Sequence, residues 1–234
     1  MKDNITLSID TLGSETKIKD ICRGLNLSAE RNINLKYLFY GNEYEIKKNI
    51  SHFKSLIKLS EIIHCDEVVE MTDIPSEAVK NKKSSSMSQA IGSVSEKNSD
   101  AILSFGNTGA LMTFALLIIK TLKDIRRPSI ASIWPNLLGE SIILDLGANT
   151  KQDSRFLIDN ALLGASLASV LFKMDKPSIG LLNVGSEENK GSDEIKIAGE
   201  KLRNLSLKNI INYYGYVEGN DISLGKTSVV VTDG

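Results

Sequence analysis

Cysteine is scarce in this chain. Cys22 and Cys65 are the only two, and neither belongs to a CxxC pair. That leaves no basis for a disulfide scaffold or a cysteine-ligated metal site, and it favours a reducing compartment. An excess of one charge is lacking as well: 28 Lys and Arg stand against 29 Asp and Glu, for a net charge of −1. Without a basic face there is no electrostatic case for nucleic acid as a partner. Histidine is limited to His52 and His64, which stand apart, and no GxSxG elbow is present to complete a triad. HExxH, Walker A and GxGxxG are also absent, so metalloprotease, P-loop and standard dinucleotide chemistry lose their sequence basis. No metal and no cofactor is expected. The longest apolar stretch noted, Ala110 to Ile119, is interrupted by Thr113 and is too short for a bilayer. Met1-Lys2-Asp3-Asn4 leads straight into strand-like Ile5–Ile9, without the charged and apolar regions of a signal peptide. A soluble cytoplasmic protein is the expectation. Trp134, the one tryptophan, reads as packing.

What is present is the composition of a globular protein: 234 residues, 41% hydrophobic and 24% charged. That length suffices for one large α/β domain or two small ones. Short β-branched runs alternate with segments of helical character. Strands are expected at 5–9, 35–40, 67–70, 101–105, 130–134, 142–146, 178–184, 210–214 and 228–232. Helices are expected at 17–32, 44–53, 85–98, 108–120, 155–172 and 193–205. Such alternation predicts a mostly parallel sheet with helices on both faces. The short polar link from Pro135 to Ser141 suits a β-hairpin, which makes the sheet mixed. The stretch from Asp73 to Ser88 reads as a loop. No repeat, linker or boundary is visible, so 1–234 is read as a single domain.

Two glycine-rich loops follow apolar runs and lead into helices: Gly106-Asn107-Thr108-Gly109-Ala110 and Asp145-Leu146-Gly147-Ala148-Asn149. Strand, glycine turn and helix build anion sites at the carboxyl edge of a parallel sheet. Their recurrence suggests one concave site fed by both. In the first, Gly106 and Gly109 let backbone amides approach an anion, while Asn107 and Thr108 can donate or cap. In the second, Asn149 can donate to an oxyanion and Asp145 can orient its surroundings. Each also reads as a tight turn with a capping or locally satisfied side chain. A third loop runs Asn183-Val184-Gly185-Ser186-Glu187-Glu188-Asn189-Lys190-Gly191. Lys190 is its phosphate counter-charge, or else a solvated lysine beside Glu187 and Glu188. A fourth group, Lys82 to Ser88, places Ser85 and Ser86 at a helix start, as caps or as part of an anion site.

Together these segments resemble the PlsX family, the acyl-acyl-carrier-protein:phosphate acyltransferases of bacterial phospholipid synthesis. The matching strings are Lys83-Ser84-Ser85-Ser86-Met87, Ser104 to Met112, Arg126-Arg127-Pro128 and Leu144 to Asn149. They continue with Leu182 to Gly185, Lys190-Gly191, Gly215 to Asp221 and Val230 to Gly234. Departures also occur. Asp10-Thr11-Leu12-Gly13-Ser14-Glu15 replaces a DxMGGD-like turn, and Ser186 stands where an acid is common. Family members run on after Asp-Gly through a further loop and helical portion, so the chain reads as C-terminally incomplete by roughly a third.

The resemblance implies a three-layer α/β/α fold related to phosphate acetyltransferases and isocitrate-dehydrogenase-like enzymes. It also implies a homodimer and a loose, peripheral membrane association. The implied reaction transfers a long fatty acyl group from acyl carrier protein to inorganic phosphate. Catalytic roles fall on Lys190, Asn149 and Asn183. Substrate binding falls on Ser85, Ser86, Gly106, Asn107, Thr108, Gly109, Asp145, Gly147 and Gly185. Two alternatives stand beside it: a phosphate acetyl- or butyryltransferase using acyl-coenzyme A, and an inactive or partial protein.

Overall fold

The computed structural model describes residues 4–32, 34–147 and 153–233. The chain divides into two compact units, Met1–Thr121 and Leu122–Gly234, each built on its own sheet.

The first unit holds β1 (Ile5–Asp10), α1 (Ile18–Arg31), β2 (Leu35–Gly41), α2 (Glu43–Ile50), α3 (Lys54–Lys58) and β3 (Ser60–His64). It continues with α4 (Pro75–Asn81), α5 (Ser86–Ser95), β4 (Ala101–Ser104) and α6 (Thr108–Ile118). Its four strands are parallel, in the order β3-β2-β1-β4. A parallel sheet must be covered on both faces, and β2 shows how the sequence meets that need. Tyr37 and Phe39 join a core with α1, α2 and α3, whereas Leu38 and Tyr40 pack on the opposite face with Ala90 of α5. Met87, Ile91, Ala110 and Phe114 extend the second layer through α5 and α6.

The second unit holds β5 (Ala131–Asn136), β6 (Gly139–Leu144), α7 (Ser154–Phe172), β7 (Ser178–Leu182), α8 (Asp193–Leu207), β8 (Asn212–Val217), α9 (Gly219–Leu224) and β9 (Val229–Val231). The order is β5-β6-β9-β7-β8, with β5 and β6 antiparallel and the remaining pairs parallel. The expected hairpin and mixed sheet are both present. Helices α7 and α8 cover one face, through Leu157, Ile158, Ala161, Ala198 and Leu202 against Ile142, Leu144, Ile179, Leu181, Val229 and Val231. At Gly164 of α7 an added Cβ would come within 2.5 Å of Val229 and 2.6 Å of Leu144, so helix and sheet meet there with no side chain between them. By length and composition α7 could cross a bilayer, and it is longer than the Ala110–Ile119 stretch considered from the sequence. Here Leu157, Ile158, Ala161 and Ala168 lie in the core against the sheet.

Three expectations shift. The strand expected at 67–70 is an extended connection, and the pairing strand is β3, whose Tyr37↔Ser60 register carries it along β2. Asp66, Glu67 and Glu70 suit that connection better than a buried ladder. Within the segment read as a loop, Pro75 opens α4 at a position where its missing N–H costs nothing. Finally, the strands sort into two sheets, a partition that strand patterns alone do not encode.

Candidate functional site

In the first unit the carboxyl ends of β1 and β4 lie side by side, with Asp10 paired to Ser104 in register. Asp10 is 1% exposed. Its carboxylate accepts from Ser86 Oγ at 2.5 Å and Ser104 Oγ at 2.7 Å, with a longer bond from the Leu12 amide at 3.4 Å. Burial pushes its pKa up, against the opposing pull of those hydrogen bonds. The sequence drew attention to this acid only as part of an altered turn; its convergence with Ser86 and Ser104 required the fold.

The predicted anion ligands around it are largely committed. Ser85 caps α5: its hydroxyl accepts from Ser88 N and donates to Lys82 O at 2.7 Å. Ser86 gives its only hydroxyl proton to Asp10. Lys82 pairs with Asp73 at 2.5 Å, which holds the Asp73 carboxyl below its usual range. Asn107 caps α6 by accepting from Ala110 N at 3.0 Å, and its amide donates to the carbonyls of Glu70, Met71 and Asp73. Gly106 N–H donates to Ser104 Oγ at 3.2 Å. Gly109 packs on α4, where a Cβ would lie 2.9 Å from Pro75 Cγ. Thr108 is exposed and opens α6, an 11-residue helix whose first-turn amides form the positive end of its dipole.

In the second unit three parallel strands, β6, β9 and β7, deliver Asp145, Thr232 and Asn183 at their carboxyl ends. Asp145 is fully buried; its Oδ1 accepts from Ile130 N and its backbone carbonyl accepts from Thr232 Oγ1 at 2.6 Å. Gly147 follows at φ +80°, a left-handed conformation suited to glycine. Asn149 lies outside the described residues. Asn183 braces the lysine loop: Nδ2 donates to Lys190 O at 3.2 Å and Oδ1 accepts from Val184 N at 2.9 Å. Gly191, at φ +84°, packs so closely on Asn183 that a Cβ would overlap the Asn183 Oδ1. Gly185 lies under the stem of Lys190, whose Cγ would be 3.2 Å from an added Cβ. The ammonium of Lys190 has no ion pair among the described residues. Glu188, its nearest rival by sequence with Glu187, is drawn to Arg203 of α8 at 2.8 Å.

No group of three or more metal-ligating side chains occurs among the described residues. Taken separately, the first unit offers helix-start amides and the second a lysine without an ion pair among the described residues, each at the carboxyl end of a parallel strand.

Comparison with known proteins gives this chemistry a context. The model of a family described as fatty acid synthesis protein matches residues 5–234. A phosphate acyltransferase from Chelativorans sp. (strain BNC1) is 42% identical over 98% of this chain and 66% of its own. One from Azorhizobium caulinodans is 42% identical over 100% of this chain and 66% of its own. The chain thus spans just under two thirds of the length of these curated relatives. Among solved structures, the EutD phosphotransacetylase from Staphylococcus aureus matches with a TM-score of 0.67 at 15% identity, covering 99% of this chain and 78% of that one. A phosphotransacetylase from Streptococcus pyogenes matches equally, covering 100% and 78%. At that identity the likeness is one of fold.

Proposed function

Because the chain belongs to the PlsX family of fatty acid synthesis proteins, we propose that it serves the transfer of a long fatty acyl group from acyl carrier protein to inorganic phosphate. A phosphate oxygen attacks the thioester carbonyl, the C–S bond breaks, and the carrier thiolate leaves and takes up a proton. The products are acyl phosphate and free carrier thiol, the former a donor for phospholipid synthesis. Thiolate leaves readily, so what the protein must supply is positioning and relief of negative charge.

The observation that carries this reading is Lys190. It is a cation without an ion pair among the described residues, held at the carboxyl end of β7 by Asn183 and Gly191. In the second unit Lys190 offsets phosphate charge and Asn149 orients the carbonyl; taken by itself, the first unit offers the first-turn amides of Thr108 and Gly109 to anionic oxygen. Asn183 acts by fixing the lysine loop. The fold shared with phosphotransacetylases supports a second reading, with acyl-coenzyme A as donor.

The test supplies long-chain acyl carrier protein or acyl-coenzyme A with inorganic phosphate and traps acyl phosphate as its hydroxamate. Phosphate-dependent product from the carrier is expected. Turnover of acyl-coenzyme A alone would replace this reading with the second. Silence with both donors, while a chain extended to the relatives' full length is active, would assign the activity to the longer protein.

The same proposal includes a cytoplasmic, membrane-peripheral location and a homodimer. Two features support self-association. β5 is an edge strand with Ile133 and Trp134 exposed, and α7 presents Leu167, Val170 and Leu171 at helical spacing outside the core. Light scattering on Val170→Glu should report a monomer where the parent chain is a dimer.

A further inference from the structure

The carboxyl group of Asp10 occupies an unusual place: the end of a central strand, almost out of reach of water, with hydroxyls from two other elements turned toward it. Ser86 reaches it from the start of α5, and Ser104 from the end of β4. A hydroxyl has one proton, and both of these are given to Asp10. That choice fixes what each serine has left. Ser104 is left with lone pairs, and one of them takes the Gly106 N–H at 3.2 Å. Gly106 opens the loop that leads through Asn107 to the first turn of α6.

We infer that Asp10 is a positioning residue for anion binding: through Ser104 it directs the Gly106 amide and so sets the path of the loop that presents the Thr108 and Gly109 amides. The inference rests on the phosphate-binding reading of that loop. Three features separate it from a packing role. The neighbouring Ile9 supplies packing at this end of the strand, being fully buried in the apolar core. A buried carboxylate is costly to keep, and burial disfavours its charged form here. The relay also ends at a backbone amide, the Gly106 N–H, one residue ahead of Asn107, whose own hydrogen bonds anchor the rest of the loop. Met87 Cε would lie 3.1 Å from a Cβ on Gly106, a tight approach that the flexible Met87 side chain would have to relieve by a few tenths of an ångström.

The experiment measures inorganic phosphate affinity of the whole chain by calorimetry, with thermal melting and exchange of the Gly106 amide as parallel readouts. Asp10→Asn keeps the shape but removes one acceptor, so one serine must redirect its proton. It is expected to weaken phosphate binding about tenfold, with Ser104→Ala similar and the double variant little worse than either, as members of one relay do not add. Melting should not fall with Asp10→Asn, and Gly106 exchange should quicken in both variants. If the parent chain binds no phosphate, the functional reading fails before this one is reached. If the parent binds and both variants bind within twofold of it, Asp10 does not position the loop. Loss of affinity that tracks loss of melting temperature would make the role structural and overturn the inference equally. Should Asp10→Asn not fold, Ser104→Ala decides alone.

Discussion

In the loop after β4 almost every polar side chain has a partner, whereas in the loop after β7 the lysine has none among the described residues. Asn107 spends its carbonyl on the α6 cap and its amide on three carbonyls of residues 70–73. Across the second loop Asn183 holds the backbone, while the Lys190 ammonium makes no ion pair among the described residues. One loop is a frame whose remaining donors are main-chain amides; the other is a mount for a side chain. Residue type alone gave both an anion-binding character, and it is the fate of each hydrogen bond that separates them. Asn107 and Asn183 thus each have hydrogen bonds that hold their own loop.

The comparison breaks most decisively at Lys190. Lys190→Ala should reduce phosphate-dependent turnover by about 100-fold or more, the scale seen when one charge-stabilising donor is removed. Melting should be unchanged, since the ammonium has no ion pair among the described residues to lose; full activity would remove the lysine from the reaction. Asn107→Ala should do the reverse. Loss of a cap and of buried amide partners is expected to cost about 2–3 kcal/mol of stability in a denaturant titration. An unaltered unfolding midpoint would show that the loop is not framed by this side chain. Ser85→Ala removes the cap of α5 and should cost about 1 kcal/mol, read in the same titration.

The finest distinction is the pH dependence of Asp10. Its pKa is raised in the folded state, so the folded chain binds that proton more tightly than the unfolded chain. Its contribution is most favourable below the ordinary carboxylate range and is lost as pH rises through the folded pKa. The melting temperature of Asp10→Asn relative to the parent should therefore climb as pH goes from acidic to neutral. A difference that shrinks over that range would contradict the burial effect.

Much of this was legible in the sequence because it is local. The alternation of strand and helix, the β5–β6 hairpin, and the serine and asparagine caps of α5 and α6 depend on neighbours only a few residues apart. The misplaced third strand has a physical origin. Ser60–His64 and 67–70 both carry short apolar pairs, and only the register beside β2 chooses between them. The state of Lys190 was equally hidden. Sequence put two glutamates beside it, and Arg203, thirteen positions further on, draws one of them away. Asp10 read as a turn acid because Ser86 and Ser104 lie 76 and 94 residues from it. Such long-range partners are the part of a site that residue patterns leave open.

β9 has a bearing on how the second unit comes into being. It is the latest of the five strands in the chain, yet it lies between β6 and β7 at the middle of the sheet. While a chain is being synthesised, β6 and β7 have no mutual ladder to form, and the apolar side of α7 lacks Val229 and Val231 to rest on. The four strands of the first sheet are complete by Ser104 and wait on nothing later in the second unit. Assembly of the second sheet is thus a late, long-range event, slower in kind than closing local contacts. Three valines act as the keystone: until they are inserted, the strand end that carries Asn183 and the lysine loop has only one flank.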